Sequence, residues 1–194
     1  MTAERSLSLA VLAALTLVGA PLAFSQQDLR ATLFVEADKA LAEAKAANAE
    51  QLAPTTYQRA AEAYAAAEND LARNRGQDRV RTDAAAAAKA FRQAKDAAET
   101  ASVTLASLIK TRADATNANA ATFATQQWTS ATERFDSAAK RLEAGDIRGA
   151  HSRADEAEAL YRDAELTSIK AQYLSQTRAL LAEADQGRVS RFAP

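Results

Sequence analysis

Few side chains in this sequence have the types and spacing that chemistry needs. His151 is the only histidine, and Asp155 follows it by one helical turn. Such a pair supplies two ligands, whereas a metal site needs three or four. There is no second histidine and no cysteine, so a solvated His151 beside the Gly145-Asp146 turn is the expected state. Carboxylates gather at Glu156, Glu158, Asp163 and Glu165. Acid–base catalysis needs a carboxyl pair held in a pocket that drives their pKa values apart. Here the acids sit beside Arg153 and Arg162, and Glu158 precedes Arg162 by four, a favourable helical pair. An ion-paired, solvated helix face is therefore expected.

The aromatic residues Tyr57, Tyr64, Phe91, Trp128, Phe135 and Tyr161 would stack sugars or bases if exposed. They alternate with alanines at helical spacing, which marks the core face of a helix. Tyr64 and Phe135 are expected to be buried equivalents, and Trp128, near a helix start, to be partly exposed. No Gly-rich phosphate loop or serine-nucleophile motif is present. The expectation is a non-enzymatic chain with no catalytic, cofactor-binding or metal-binding residue.

The elements that hold these residues follow from composition. Apolar residues make up 48% and charged residues 25% of 194, as in a folded domain rather than a disordered tail. The net charge is -1, without the basic stripe that nucleic acid demands. Alanine, the best helix former, supplies about a quarter of the chain, while only 5 Gly and 3 Pro interrupt it. No run alternates β-branched with polar residues. The fold class expected is all-α.

Residues 1–25 read as a secretory signal peptide. Arg5 precedes an apolar run from Leu7 to Ala20, and Ala23-Phe24-Ser25 places small residues where a signal peptidase cuts, so that Gln26 starts the mature chain. The run is shorter than the ~20 residues a membrane span needs. Export across the inner membrane to the periplasm, with no membrane span in the mature chain, is the expectation.

The mature sequence repeats itself. Tyr57, Ala60, Tyr64, Ala67 and Leu71 match Trp128, Ala131, Phe135, Ala138 and Leu142, each 71 residues on. Ala84, Ala87, Phe91 and Ala94 match Ala154, Ala157, Tyr161 and Ala164, 70 residues on. The one-residue difference falls between, around Gly76 in one copy and Gly145 in the other. Upstream, Ala44, Ala47, Asn48, Leu52 and Ala53 match Ala115, Ala118, Asn119, Phe123 and Ala124. A third copy opens with Leu181-Ala182-Glu183-Ala184, matching residues 41–44, and Phe192-Ala193-Pro194 matches Leu52-Ala53-Pro54. Repeat 1 is thus assigned to 26–103, repeat 2 to 104–174 and a truncated third to 175–194, in what reads as part of a longer protein.

Apolar spacings of three and four make a heptad seam on one helix face. Pro54 suits a first helical turn, Gly145 a helix end and Asp146 a helix start. Breaks are predicted near 51–54, 75–78, 121–125 and 145–147. Between them one long helix spans 79–121, and another spans 147–187 with Gly149 an early weak point. The architecture predicted is a spectrin-like antiparallel array of alternating short and long helices. A tetratricopeptide-like superhelix is the alternative, though the long helices overrun its 34-residue period.

Helices opened by Leu-Ala-Pro (52–54), the Gly145-Asp146 turn and alanine at every third or fourth position make residues 34–194 resemble a known type of region. It is the Ala-rich helical region, of unassigned function, that precedes the OmpA-like domain in some Gram-negative envelope proteins. The resemblance implies a periplasmic place at the outer membrane or wall. It also implies contact with envelope proteins or peptidoglycan through a C-terminal module after Pro194. The lipoprotein cysteine common in that family has no counterpart here. The function expected is a structural spacer, with a helical protein-binding module as the alternative; a binder would expose a contiguous apolar patch and a spacer would not.

Overall fold

A computed structural model describes the backbone of residues 21–192 and the side chains of residues 28–186. The apolar run of the expected leader, and the Ala193-Pro194 end of the third copy, lie outside the described residues. The helices in chain order are α1 (Pro21–Ala46), α2 (Ala49–Leu52), α3 (Pro54–Ala72), α4 (Gln77–Thr104), α5 (Ala106–Asn117), α6 (Ala120–Phe123), α7 (Thr125–Glu143) and α8 (Ile147–Phe192). No strand occurs among the described residues, so the chain is all-α as composition requires.

Helix ends are set by residues that tolerate a left-handed backbone. Asn48 (φ 54°) ends α1 and Asn119 (φ 57°) ends α5. Asn is the non-glycine residue that enters this region at least cost, and each then offers its carbonyl to the start of a one-turn helix. α3 and α7 close alike. Asn74 (φ 51°) and Gly145 (φ 77°) occupy the first position past the helix. Arg75 N–H donates to the Asp70 carbonyl and Asp146 N–H to that of Arg141. Asn74 N–H and Gly145 N–H each reach back to a leucine carbonyl, Leu71 and Leu142. Both ends are therefore Schellman motifs. The residue equivalent to Gly145 is Asn74 rather than Gly76, which corrects the sequence alignment by two positions.

Asp146 caps α8, its carboxylate accepting from Gly149 N–H at 2.9 Å and from Arg141 at 2.6 Å. These bonds hold the Asp146 carboxyl below the usual carboxylate range, the backbone donor having the largest effect. A Cβ on Gly149 would lie 2.1 Å from Asp146 Oδ2. Gly149 is therefore not a weak point but the residue that leaves space for the cap.

One expected helix is two. The stretch 79–121 is interrupted at Leu105 (φ -105°, ψ 22°), which separates α4 from α5. The cause lies in the preceding turn, where the hydroxyls of Thr100, Ser102 and Thr104 donate to carbonyls three or four residues back. Such back-bonding bends helices. At the matching place in α8 the residues are Lys170, Gln172 and Leu174, and α8 runs unbroken over 46 residues.

α4 packs on α1 and α3, and α8 packs on α7, α5 and α6; α3 also touches α7 across the two groups. The core is a string of alanines with a large side chain at intervals: Phe34, Phe91, Leu105, Leu108, Phe135 and Tyr161. Phe135 is buried, whereas its expected equivalent Tyr64 is half-buried. The phenol explains the difference, because its hydroxyl must reach polar partners at the rim. Phe135→Ala is expected to lower stability by about 3–5 kcal/mol and Tyr64→Ala by clearly less. Denaturant midpoints measured side by side check this order.

Candidate functional site

The residues weighed for chemistry are dispersed. His151 and Asp155 are both exposed on the outer face of α8. Glu158 pairs with Arg162 at 2.6 Å, and Glu156 is shared by Arg153 at 2.6 Å and Arg134 at 3.2 Å. Asp163 is exposed and Glu165 half-exposed on the same helix. Among the described residues no three His, Cys, Asp or Glu side chains converge as a metal site would require.

The aromatic residues come together as two packed clusters. In the first, Tyr57 and Tyr64 meet Phe91 edge-on at 5.7 and 6.1 Å, and Phe34 meets Tyr64 at 5.4 Å. In the second, Trp128 meets Tyr161 at 5.2 Å. Edge-to-face contact at these distances is how core rings pack. Arg112 covers the Phe135 ring at 5.1 Å and the Trp128 ring at 5.9 Å, a cation–π cap on the half-buried side. The buried Tyr161 hydroxyl is satisfied by Thr132 at 3.1 Å. Burial raises the Tyr161 pKa, against the opposing pull of Thr132 and Arg112.

Three polar junctions were not legible as sites in the sequence. At the first, the Tyr64 hydroxyl donates to Asp38 and accepts from Arg30 at 2.7 Å, while Arg30 also reaches Glu68 at 2.8 Å. The cluster ties α1 to α3. Burial, then the hydrogen bond to Asp38, pushes the Tyr64 phenol up to about 12.

At the second, the Glu143 carboxylate at the end of α7 accepts from Thr55 N–H at 2.9 Å and Thr56 N–H at 2.8 Å. Pro54 has no N–H to offer, so Glu143 satisfies the next two donors and places negative charge at the positive end of α3. The partners lie 88 and 87 residues apart, beyond any local pattern.

At the third, buried Ser168 and Gln172 on α8 both donate to the Ala118 carbonyl, Gln172 at 2.6 Å. They pin the left-handed turn at Asn119. The sequence signal was a serine where the first copy carries Ala98 on its seam.

Two grooves accompany these junctions. One of about 310 Å³ lies where α1, α5 and α7 meet, lined by Gln51, Ile109, Arg112 and Phe135 among others. Another of about 500 Å³ runs between α5 and α8, lined by Asp114, Asn117, Glu165, Ile169, Gln172 and Tyr173 among others. Beyond it the surface of α8 turns apolar: Leu166, Ile169, Tyr173, Leu174, Leu180 and Leu181 are all exposed. This stripe, together with the joint at Glu143, is the surface best equipped to act. What it offers is helix–helix contact rather than bond-making chemistry. No helix among the described residues is long and apolar enough to cross a membrane.

The raised Tyr64 pKa makes stability depend on alkaline pH. The unfolded phenol ionises near its ordinary 10 and the folded one at about 12. Between these values the unfolded state binds fewer protons, so stability falls as pH rises. The contribution is whole below the unfolded value and lost through the folded one. Unfolding measured from pH 9 to 12 should show a shallower decline in Tyr64→Phe, on the order of the one-proton slope removed.

Searches of family models, of curated proteins and of solved structures return no match to this chain.

Proposed function

We propose that the chain is a non-catalytic structural spacer, built as a spectrin-like helical array and working in the bacterial periplasm. The observation that supports it best is the Glu143 joint. A spacer must resist bending where its units meet, and the two Glu143 hydrogen bonds hold the end of α7 against the start of α3. The units so joined recur in detail. α3 and α7 are both 19 residues long, beginning 71 residues apart. The turns before them share dihedrals, with Ala53 at φ -138° and Ala124 at φ -137°. A connecting segment leads from one unit to the next, bent at Leu105 in the first instance. The export signal and the resemblance to envelope proteins supply the compartment, and with it envelope proteins or peptidoglycan as the things spaced.

A helical binding module is the second reading, and one observation favours it. The exposed stripe on α8 is contiguous and apolar, as a docking face is and a plain spacer's surface is not.

Rigidity separates a spacer from loosely tethered units. The chain has no cysteine, so spin labels can be placed at two introduced ones, Ala65→Cys on exposed α3 and Ser152→Cys on exposed α8. Electron–electron distance measurements should give one narrow distribution, which Glu143→Ala broadens. A distribution already broad in the unaltered joint would end the spacer proposal.

A further inference from the structure

We infer that the C-terminal half of α8 is a self-association surface on which a second copy of this chain docks, the two α8 segments lying antiparallel. The inference deepens the proposed array and rests on it, because it compares equivalent positions of the copies. In register with the Leu41 and Leu181 match, the seam of α1 falls on α8. Phe34, Ala37, Ala40 and Ala44 correspond to Leu174, Thr177, Leu180 and Ala184. The four α1 residues are at most 1% exposed, covered by α3 and α4. On α8 the same positions lie open, with Leu174 57%, Leu180 66% and Leu181 60% exposed, and Tyr173 beside them 68%.

These side chains fall on one face. Tyr173, Leu174, Thr177, Leu180, Leu181 and Ala184 step by one, three or four, the spacing of a helix–helix seam. From Leu166 to Ala184 the stripe is about 27 Å long at 1.5 Å per residue. Elsewhere in this molecule a seam of that kind is covered by another helix. Here nothing in the chain covers it.

Charge selects the occupant. Lys170 stands within the stripe and corresponds to Arg30, which on α1 is held by Glu68 and Tyr64. Lys170 needs an acid in the same way, and its own helix carries Glu183 and Asp185 near the far end of the stripe. When two α8 segments run antiparallel with their two-fold axis near Thr177 and Arg178, Leu174 faces Leu181 and Lys170 faces Asp185, each pair formed twice. Parallel pairing would set Lys170 against Lys170 and Asp185 against Asp185. An antiparallel second copy therefore satisfies both the apolar seam and its embedded charge, and one patch serves both partners as two-fold symmetry requires.

Sedimentation equilibrium of the full chain tests this. A dimer is expected, dissociating to monomer in Leu174→Glu and in Leu181→Glu, with far-UV circular dichroism unchanged because both sites are exposed. Lys170→Glu should raise the dimer Kd about tenfold or more, and adding Asp185→Lys should bring it back. A wild-type chain that stays monomeric at about 100 μM would overturn the proposal. So would a dimer indifferent to Leu174→Glu, or charge reversals that fail to compensate. The spin-label distances report on the joint within one chain, so failure of the array and failure of this interface are read separately.

Discussion

Close approach of helices through alanine is the constraint on which this structure depends. Of thirty-one buried apolar residues, twenty-three are alanine. Each buries little area, so the favourable transfer energy per contact is small. What alanine provides is proximity: small side chains let helix axes come to about 8 Å, the short end of the usual range. At that separation the large residues must be few and correctly placed. Phe91 lies between Tyr57 and Tyr64, and Tyr161 lies against Trp128. Each ring fills a gap that neighbouring alanines leave open.

A seam of this kind has weak intrinsic register, because one alanine resembles the next. The turns compensate. Asn48 and Asn119 stop two helices at equivalent positions by entering the left-handed region, and Asn74 and Gly145 do the same for two others. Polar contacts then fix the turns against their surroundings. Ser168 and Gln172 hold Ala118, and Glu143 holds Thr55 and Thr56. Specificity in this chain comes from a handful of asparagines, one glycine pair and a few long-range hydrogen bonds. The alanine seams supply the general cohesion.

Much of the fold was legible in the sequence, for identifiable reasons. Helix content followed from alanine and the scarcity of Gly and Pro. Pro54 and Asp146 marked helix starts because their chemistry is local, and Gly145 marked an end. The interruption at Leu105 was missed because no glycine or proline announces it. It arises from three hydroxyls bonding back to the helix, an effect that depends on their clustering within one turn. Tyr64 was assigned to the core on periodicity alone, which cannot register that Arg30, Asp38 and Glu68 await its hydroxyl. Glu143 was invisible for a different reason: its partners are close only after the whole intervening chain has folded. The dispersed placing of His151 and the acidic residues, by contrast, follows directly from helical spacing.

The most direct measurement concerns the seam itself. Ala60 on α3 and Ala131 on α7 are equivalent and fully buried, while Ala65 on α3 is exposed. Leucine should be placed at each in turn and the denaturant midpoint measured. If alanine is there to permit close approach, Ala60→Leu and Ala131→Leu each lose about 1–3 kcal/mol by overpacking, and Ala65→Leu stays near wild type. If both buried substitutions left the midpoint unchanged or raised it, the helices would have space to spare, and close approach through alanine would not be what organises this protein.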